Sequence, residues 1–434
     1  MINSLSLLKS RIFFFFIVFV SLFFTTSILF AQRNLEFYII TAYQNNPSIN
    51  EQQNLLRINS LQRDLDYAQT SGFQMYLSAN YLFVPYFNNS GGIITSNPDQ
   101  NAIGYDIGLT NGGLYSAQFN IEKNIFNGAL NDALSNQRII SENKIKNDIE
   151  LLKTDLSKQV TDQYLQSYLS YQLYNMTTEL ISYLNDQLKI LGELVESGMA
   201  KQSEYLLLSV EIENQKIAEN DYYVQFTSNL SQLNSLCGIK DSSVVELDSV
   251  SLKLKSIKTN SEFFKKFELD SLSIENQQQI FETKYQPQVS LFFNTGLNAV
   301  ELNNIQRKFG LSAGVNFSLP IFDGNQRSLT QQQTKVSIET INNYRSNFAI
   351  LLDNQKSSVL KKIESLKNNL SNLSRQMESY NTVIKISERE LRQGQLSMIE
   401  YLTILKNFAD FKKNKITTEI NYQIEINNYN YWDY

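Results

Sequence analysis

Apolar and polar residues alternate in two pairs of short stretches. Over 289–297 and 311–319 every second residue is apolar and most residues between are small or polar, and a looser form of the pattern covers 77–83 and 115–121. Each pair predicts one β-hairpin. Segments of about ten residues with one apolar face are typical of membrane β-barrel strands, although a half-buried soluble sheet alternates in the same way.

Elsewhere the apolar residues recur at helical spacing. Steps of three and four residues connect Ile363, Leu366, Leu370, Leu373, Met377, Tyr380 and Ile384. The same steps recur over 181–195 in the earlier half of the chain. This spacing predicts long helices that pack as coiled coils, and we interpret the two stripes as packing surfaces that bind no ligand.

The sequence also matches itself at an offset of 196 residues. Ile-Phe-Asn-Gly ending at Gly128 recurs as Ile-Phe-Asp-Gly ending at Gly324, and Gly198 recurs as Gly394. The tripeptide Glu-Tyr-Leu follows each of the last two glycines at the same distance. Because these matches share one register, we predict a tandem duplication in which each half folds into the same unit.

Residues that interrupt helices are scarce, with 16 glycines and five prolines in 434 residues. No proline occurs between Pro98 and Pro287, and none after Pro320. Each half is therefore predicted to contain a helix of up to about 70 residues, a glycine turn and a second helix of about 35 to 40 residues. The longer helix would reach about 100 Å.

These patterns divide the chain into four parts. We predict a signal peptide over 1–31, a first repeat over 32–238, a connecting segment over 239–264 and a second repeat over 265–434. The first repeat comprises a helix, a hairpin at about 73–122, a long helix at about 128–197 and a helix at about 199–238. The second comprises a helix, a hairpin at about 287–321, a long helix at about 325–393 and a helix at about 395–434.

The first residues have the layout of a secretory signal. Lys9 and Arg11 precede an apolar run that begins at Ile12, and the small residue Ala31 follows it. We predict cleavage after Ala31 and export from the cytoplasm. An uncleaved signal anchor is the alternative, because the run is just long enough to span a bilayer.

Composition excludes most catalytic chemistry. The chain has no histidine and one cysteine, so it has no Ser-His-Asp triad, no Cys-His pair and no histidine-ligated zinc. We find no catalytic constellation, phosphate-binding loop or metal-ligand cluster, and therefore expect no enzymatic activity, no cofactor and no metal. With 43 acidic and 38 basic residues the net charge is −5, which argues against a nucleic-acid partner.

The order of these elements resembles the TolC-like outer membrane efflux protein family, the outer membrane factors. The motifs that carry the resemblance are Asn46-Pro47, Tyr285-Gln286-Pro287, Leu319-Pro320-Ile321-Phe322-Asp323-Gly324, the two Gly-x5-Glu-Tyr-Leu motifs at 198–206 and 394–402, and the segment 233–238. Each motif is weak alone, but their common order and register cover nearly all of the mature chain.

The resemblance implies a mainly α-helical fold with a membrane β-barrel. Three copies would form a twelve-stranded outer membrane β-barrel continuous with a long periplasmic α-helical coiled-coil barrel, with the connecting segment 239–264 at mid-tunnel. The protein would be located in the outer membrane of a diderm bacterium, in contact with its lipid, and with a large periplasmic part.

The resemblance also implies a function. The trimer would be the exit duct of a tripartite efflux or type I secretion system. It would passively conduct substrates from an inner membrane transporter of the RND, ABC or a similar class, through a periplasmic adaptor, to the exterior. The alternative from another class is a secreted or surface trimeric coiled-coil structural protein or adhesin.

Site residues follow by position in the family motifs. Gly198 with Met199, and Gly394 with Gln395, would form the tips on which the adaptor docks. Family members place acidic residues just after the second turn, and Glu400 takes that place, with Glu204 as its counterpart. Three such carboxylates on an axis would favour cations at the periplasmic aperture, whereas the plain alternative is a solvated carboxylate on a helix.

One departure from the family concerns the closed entrance. The best-known members hold it shut with a tyrosine and an arginine that flank the second glycine, where this chain has Leu391 and Leu396. Arg389 and Arg392 are nearby and would be the candidates to take over this role.

Overall fold

The computed structural model describes residues 33–87, 94, 103–105, 113–241, 243–255, 261–300, 302 and 304–432. The predicted signal peptide over 1–31 lies outside these residues. In chain order, the helices and strands are α1 (Leu35–Asn45), α2 (Pro47–Ser71), β1 (Gln74–Phe83), β2 (Gly113–Asn124), α3 (Gly128–Glu196), α4 (Gln202–Leu236), α5 (Glu262–Glu282), β3 (Gln288–Ala299), β4 (Phe309–Ser318), α6 (Gln326–Arg392) and α7 (Met398–Trp432). Short 3-10 turns, Thr283–Tyr285 and Ile305–Arg307, flank β3.

The chain divides into two compact units. The helical unit comprises Met1–Asn50, Leu152–Thr259 and Leu351–Tyr434, and the sheet unit comprises Glu51–Leu151 and Asn260–Ile350. None of the helices in the described part of the chain is both long and apolar enough to cross a membrane.

The sheet unit contains one four-stranded antiparallel sheet in the order β1-β2-β3-β4. The strands lie close to the predicted hairpins, and β2 runs on to Asn124. The strand register separates two faces. One row across the sheet is polar and contains Tyr76, Asn120, Asn294 and Ser312, and the next row contains Leu77, Phe119, Thr295 and Leu311.

The apolar face of this sheet is open to its surroundings. Leu77 is 82% exposed, Leu311 is 75% exposed and Phe309 is 69% exposed. On the polar face Phe292 lies over Gly314, where an added Cβ would come within 2.4 Å of the ring. The sheet is therefore a single layer whose apolar face has no covering element among the described residues.

In the helical unit, the main core forms where α1 packs against α3 and α4. Tyr38, Tyr164 and Leu233 are completely buried there, and the Tyr164 hydroxyl donates to the Asp248 carbonyl at 2.9 Å. Burial of each large side chain contributes about 1.5–3 kcal/mol. Cys237 closes α4 within this core, and burial raises the pKa of its thiol to about 12.

The opening helix is divided into two, whereas the sequence predicted one. Asn46 has an extended backbone, with ψ 120°, and Pro47 begins the next helix. A proline disfavours helical geometry in the residue before it and is well tolerated at the first position of a helix, so α1 must end before Pro47. The Asn46 side chain then accepts from the backbone amides of Ser48 and Ile49 at 2.9 and 3.1 Å.

The second half opens with one helix and the first half with two, and both halves then present two strands, a long helix and a shorter helix. The long helices α3 and α6 have 69 and 67 residues, and α4 and α7 each have 35. The tandem duplication itself stays a prediction from the sequence.

Candidate functional site

Two glycine turns connect the helices of the helical unit, the first over 197–201 and the second over 393–397. Gly198 has φ +74° and Gly394 has φ +70°, in the left-handed region that favours glycine. Each glycine amide donates to a carbonyl near the end of the preceding helix, Val195 at 3.0 Å and Leu391 at 3.0 Å. The residue after each glycine closes the longer bond of a Schellman motif. These bonds are Met199 to the Leu194 carbonyl at 2.8 Å and Gln395 to the Glu390 carbonyl at 2.9 Å.

The second turn leads into a capping box at the start of α7. The Ser397 amide and hydroxyl both donate to Oε2 of Glu400, at 3.0 and 2.8 Å, and the Glu400 amide is 3.3 Å from the Ser397 hydroxyl oxygen. These hydrogen bonds lower the pKa of Glu400. Ser-x-x-Glu before an apolar run is a sequence pattern that signals such a cap, so this capping box is also readable from the local sequence.

Glu204 has a similar position in the first turn but a weaker interaction. Its Oε2 accepts from the Lys201 amide at 3.4 Å, and a lysine replaces the serine that caps α7. Glu400 is exposed and Glu204 is half-buried. Both carboxylates therefore interact with the N-terminus of their own helix, where the helix dipole stabilises negative charge.

A cleft of about 660 Å³ lies between the two turns. Its lining residues include Leu194, Met199, Lys201, Leu391, Arg392 and Leu396. Met199 is 73% exposed, and a Cβ added at Gly198 or Gly394 would meet no atom within 4 Å. All four predicted docking residues are exposed, and three of them, Gly198, Met199 and Gly394, line this cleft. The cleft lining combines apolar side chains with the charged residues Lys201, Glu204 and Arg392.

An apolar cluster holds the helix ends together behind the cleft. Its buried members are Ile181, Leu184, Leu191, Leu208, Ile212, Met398, Tyr401 and Leu405. Leu391 and Leu396, which replace the tyrosine and arginine of the best-known family members, pack against this cluster. Arg389 and Arg392 are exposed.

Three polar groups meet next to this cluster. The Tyr183 hydroxyl donates to Oε1 of Glu388 at 2.5 Å and is hydrogen-bonded to the Tyr401 hydroxyl. Burial, followed by the hydrogen bond to Glu388, raises the pKa of Tyr183, and burial raises the pKa of Tyr401 to about 12. Sequence reasoning did not find Tyr183 or Glu388, because 205 residues separate them and neither belongs to a local motif.

The corresponding position of the first half lacks this carboxylate. At the 196-residue offset of the predicted repeat, Gly192 corresponds to Glu388 and Tyr205 corresponds to Tyr401. The Tyr205 ring lies 3.5 Å from where a Cβ of Gly192 would be. The packing behind the two turns therefore differs. Gly192 lies against Tyr205 behind the first turn, whereas the hydrogen-bonded Glu388 carboxylate lies behind the second.

Among the described residues, no group of three or more acidic or cysteine side chains is arranged to hold a metal ion. The described part of the site consists of two turns, two capping carboxylates and a cleft. Such an arrangement offers a docking surface and fixed charge, and it offers no nucleophile paired with a base.

Comparison with solved structures gives close matches over nearly the whole chain. The outer membrane protein VceC from Vibrio cholerae aligns with a TM-score of 0.68 at 11% identity, covering 92% of this chain and 96% of VceC. The CmeC outer membrane channel of Campylobacter jejuni gives 0.67 at 16% identity, covering 93% and 86%. The open MtrE outer membrane channel of Neisseria gonorrhoeae gives 0.64 at 12% identity, covering 92% and 88%.

The chain has the fold of these outer membrane channels. The resemblance to the TolC-like outer membrane efflux proteins is thereby confirmed at the level of fold. Neither a protein-family model nor a curated protein matches the chain.

Proposed function

We propose that this protein is an outer membrane exit duct that conducts substrates passively to the exterior. The observation that carries the proposal is the single-layered sheet, with one exposed apolar face and one face of mostly small and uncharged polar side chains, in a chain with the fold of outer membrane channels. An apolar face suits lipid and a polar face suits a water-filled lumen.

The edges of this sheet support a trimer. Within the described strands, β1 and β4 each have one edge without a partner, and membrane β-barrels begin at eight strands. Because β1 and β4 run antiparallel, β4 of one copy can pair with β1 of the next and keep the alternation of the sheet. Three copies would supply twelve strands, the number that the family resemblance implies.

A stripe on α4 supports the same assembly. Leu206, Val210, Ile217 and Val224 are exposed apolar residues, and the last three recur at heptad spacing. Such a stripe is typical of a coiled-coil surface that packs against another helix. The neighbouring copy in the trimer is the partner we propose for it.

The glycine turns are the proposed docking surface for a periplasmic adaptor, which would connect the duct to an inner membrane transporter. Gly198, Met199 and Gly394 line the cleft between the turns, and Gln395 is exposed on the second turn. Glu204 and Glu400 would charge the aperture. In the proposed arrangement this end of the helical unit lies in the periplasm and the sheet lies in the outer membrane. Tripartite efflux and type I secretion are the two systems that would use such a duct.

Detergent extraction and planar bilayers test the proposal. We expect the protein in the outer membrane fraction, as a trimer that dissociates on heating and conducts ions in bilayers. A soluble protein without conductance would contradict the duct and favour the coiled-coil adhesin. The exposed apolar face of the sheet argues against that alternative, because a water-soluble sheet would need to cover it.

A thiol placed at the first turn tests the docking surface in cells. Cys237 is the one native cysteine and is buried, so Met199→Cys would add the only accessible thiol. A reagent that is thiol-reactive at one end and amine-reactive at the other should cross-link Met199→Cys to a periplasmic protein of adaptor size. The matched variant Lys361→Cys, exposed on α6 away from the turns, should give no such product. Equal cross-linking of Met199→Cys and Lys361→Cys would show that the turns are not the docking surface.

A further inference from the structure

The four strands contain only two charged residues, Glu122 and Lys123, which are neighbours on β2. Successive residues of a strand point to opposite faces. Glu122 lies on the polar face, opposite Gln74 on one side and Phe292 on the other. Lys123 lies on the apolar face, with its ammonium group 4.4 Å from the centre of the Phe73 ring. The polar face of the strands thus has one charge, and it is negative.

The side chains around Glu122 leave this charge uncompensated. The Tyr76 hydroxyl donates to Oε1 of Glu122 at 2.9 Å. Gln74 uses its side-chain amide to donate to the Ala68 carbonyl at 3.0 Å, and Phe292 is packed over Gly314. No described cation forms an ion pair with Glu122. The neutral Tyr76 hydroxyl holds the Glu122 carboxylate in place. Because Glu122 is exposed, its carboxylate is accessible to ions.

Resting on the proposed function, we infer that Glu122 is a selectivity-determining residue that makes the membrane-spanning part of the channel prefer cations. Each copy contributes one Glu122 at the same height, so a trimer has three carboxylates around the lumen. A ring of carboxylates in a pore attracts cations and repels anions.

Simple dimensions support this effect across the whole lumen. Twelve strands about 4.8 Å apart and tilted by about 40° enclose a backbone diameter of about 24 Å. A glutamate side chain extends about 5 Å inward, so each carboxylate would lie about 7 Å from the axis. The Debye length is about 10 Å in 0.1 M salt and about 3 Å in 1 M salt. The field of Glu122 therefore reaches the axis at low salt and is screened at high salt.

The nearest basic residues of the β3–β4 connection cannot cancel this field. Arg307 and Lys308 lie at the far end of the strands, where the Asn298 amide donates to the Lys308 carbonyl. Asn298 is six residues along β3 from Phe292, the partner of Glu122, which corresponds to about 20 Å along the strand. That separation exceeds the Debye length in 0.1 M salt.

The test measures the ratio of potassium to chloride permeability of the full-length channel in planar bilayers. Glu122→Gln removes the charge and keeps an oxygen that accepts from Tyr76. In about 0.1 M KCl we expect the ratio to fall at least about threefold, and in about 1 M KCl we expect little difference from the native channel. An unchanged ratio at 0.1 M, in a variant that still forms conducting trimers, would overturn the inference.

Two further variants separate charge from structure. Lys123→Gln alters the neighbouring charge on the outer face and should leave the ratio unchanged. Gln118→Glu places a carboxylate on the same polar face, and the double variant Gln118→Glu/Glu122→Gln should recover a cation preference close to that of the native channel. If Glu122→Gln does not assemble, the single variant Gln118→Glu provides the test. It should raise the ratio of potassium to chloride permeability above that of the native channel. An unchanged ratio would overturn the inference.

The outcomes distinguish this inference from the proposed function. If the native protein forms no channel, the exit duct fails and the selectivity assignment fails with it. If the native channel conducts and Glu122→Gln matches it at low salt, only the role of Glu122 fails. If the variant Glu400→Gln abolishes all cation preference while Glu122→Gln has no effect, selectivity lies at the helix turns instead.

Discussion

The hydroxyl of Tyr401 is hydrogen-bonded to the hydroxyl of Tyr183, which itself donates to Glu388. The two tyrosines belong to α7 and α3 and are 218 residues apart in the chain. Tyr401 is completely buried, so its hydroxyl has no access to water if this bond is broken. This hydrogen bond therefore connects the start of α7 to α3, next to both glycine turns.

Removing the Tyr183 hydroxyl should lower the free energy of unfolding more than removing the Tyr401 hydroxyl. Tyr183→Phe deletes both hydrogen bonds and leaves the half-buried Glu388 carboxylate without this donor, and we expect the free energy of unfolding to fall by about 1–3 kcal/mol. Tyr401→Phe deletes one bond and should cost about 1 kcal/mol. Denaturant titration of the detergent-solubilised protein measures both values.

Tyr205 provides the matched control, since it corresponds to Tyr401 in the predicted repeat and lies against Gly192 instead of a carboxylate. Tyr205→Phe should change the free energy of unfolding by less than about 0.5 kcal/mol. If Tyr205→Phe lowered the free energy of unfolding as much as Tyr183→Phe, the hydrogen bonds that connect Tyr401, Tyr183 and Glu388 would make no special contribution to stability.

Alkaline pH should weaken the same contact. The pKa of Tyr401 is raised from its ordinary value near 10 to about 12, so its neutral form is favoured by folding. The resulting stability is fully present below pH 10 and is lost as the pH rises through about 12. The native protein should therefore lose more stability than Tyr401→Phe between these values, as measured by thermal unfolding in a pH series. If stability fell equally with pH in the native protein and in Tyr401→Phe, this prediction would be contradicted.

Substitution of the turn glycines should be costly for conformational reasons alone. Gly198→Ala and Gly394→Ala meet no neighbouring atom, but each places a Cβ in the left-handed region, at an expected cost of about 1–2 kcal/mol. Gly128→Ala is the control, because Gly128 begins α3 with open space around it and should tolerate alanine. Thermal unfolding compares the three variants, and a neutral Gly394→Ala would show that the turn can adopt another geometry.

Glu400→Gln tests the aperture. Glutamine can still accept from Ser397 in the capping box, so this change removes charge with little loss of local structure. If three Glu400 side chains surround the entrance, cation preference or block by divalent cations added at the periplasmic side should decrease. Unchanged behaviour would remove Glu400 from the aperture and leave it as a helix cap.

Ser397→Ala is the complementary variant. It keeps the carboxylate charge, removes the hydroxyl that holds it and should destabilise the start of α7 by about 1 kcal/mol. Cation block should persist in this variant. Loss of block in both variants would indicate that the position of the carboxylate, as well as its charge, is required.

The faces of the sheet could be predicted from the sequence because period-two alternation determines which residues share a face. The pairing of β2 with β3 could not, since these strands lie in different halves of the chain and no turn connects them directly. The same limit applies to Tyr183 and Glu388, whose contact depends on how two long helices align. The break before Pro47 and the capping box at Ser397 are encoded in local sequence, by a proline and by a Ser-x-x-Glu pattern, and need no knowledge of the tertiary fold.

The unpaired edges of β1 and β4 have a consequence for how the protein reaches its folded state. Within the described residues, a single copy has two strand edges able to pair with any exposed strand, together with an uncovered apolar face. Folding and association are then one equilibrium, so apparent stability should rise with protein concentration. In the proposed trimer, a copy that has not yet assembled is therefore prone to aggregate until neighbouring copies cover its strand edges.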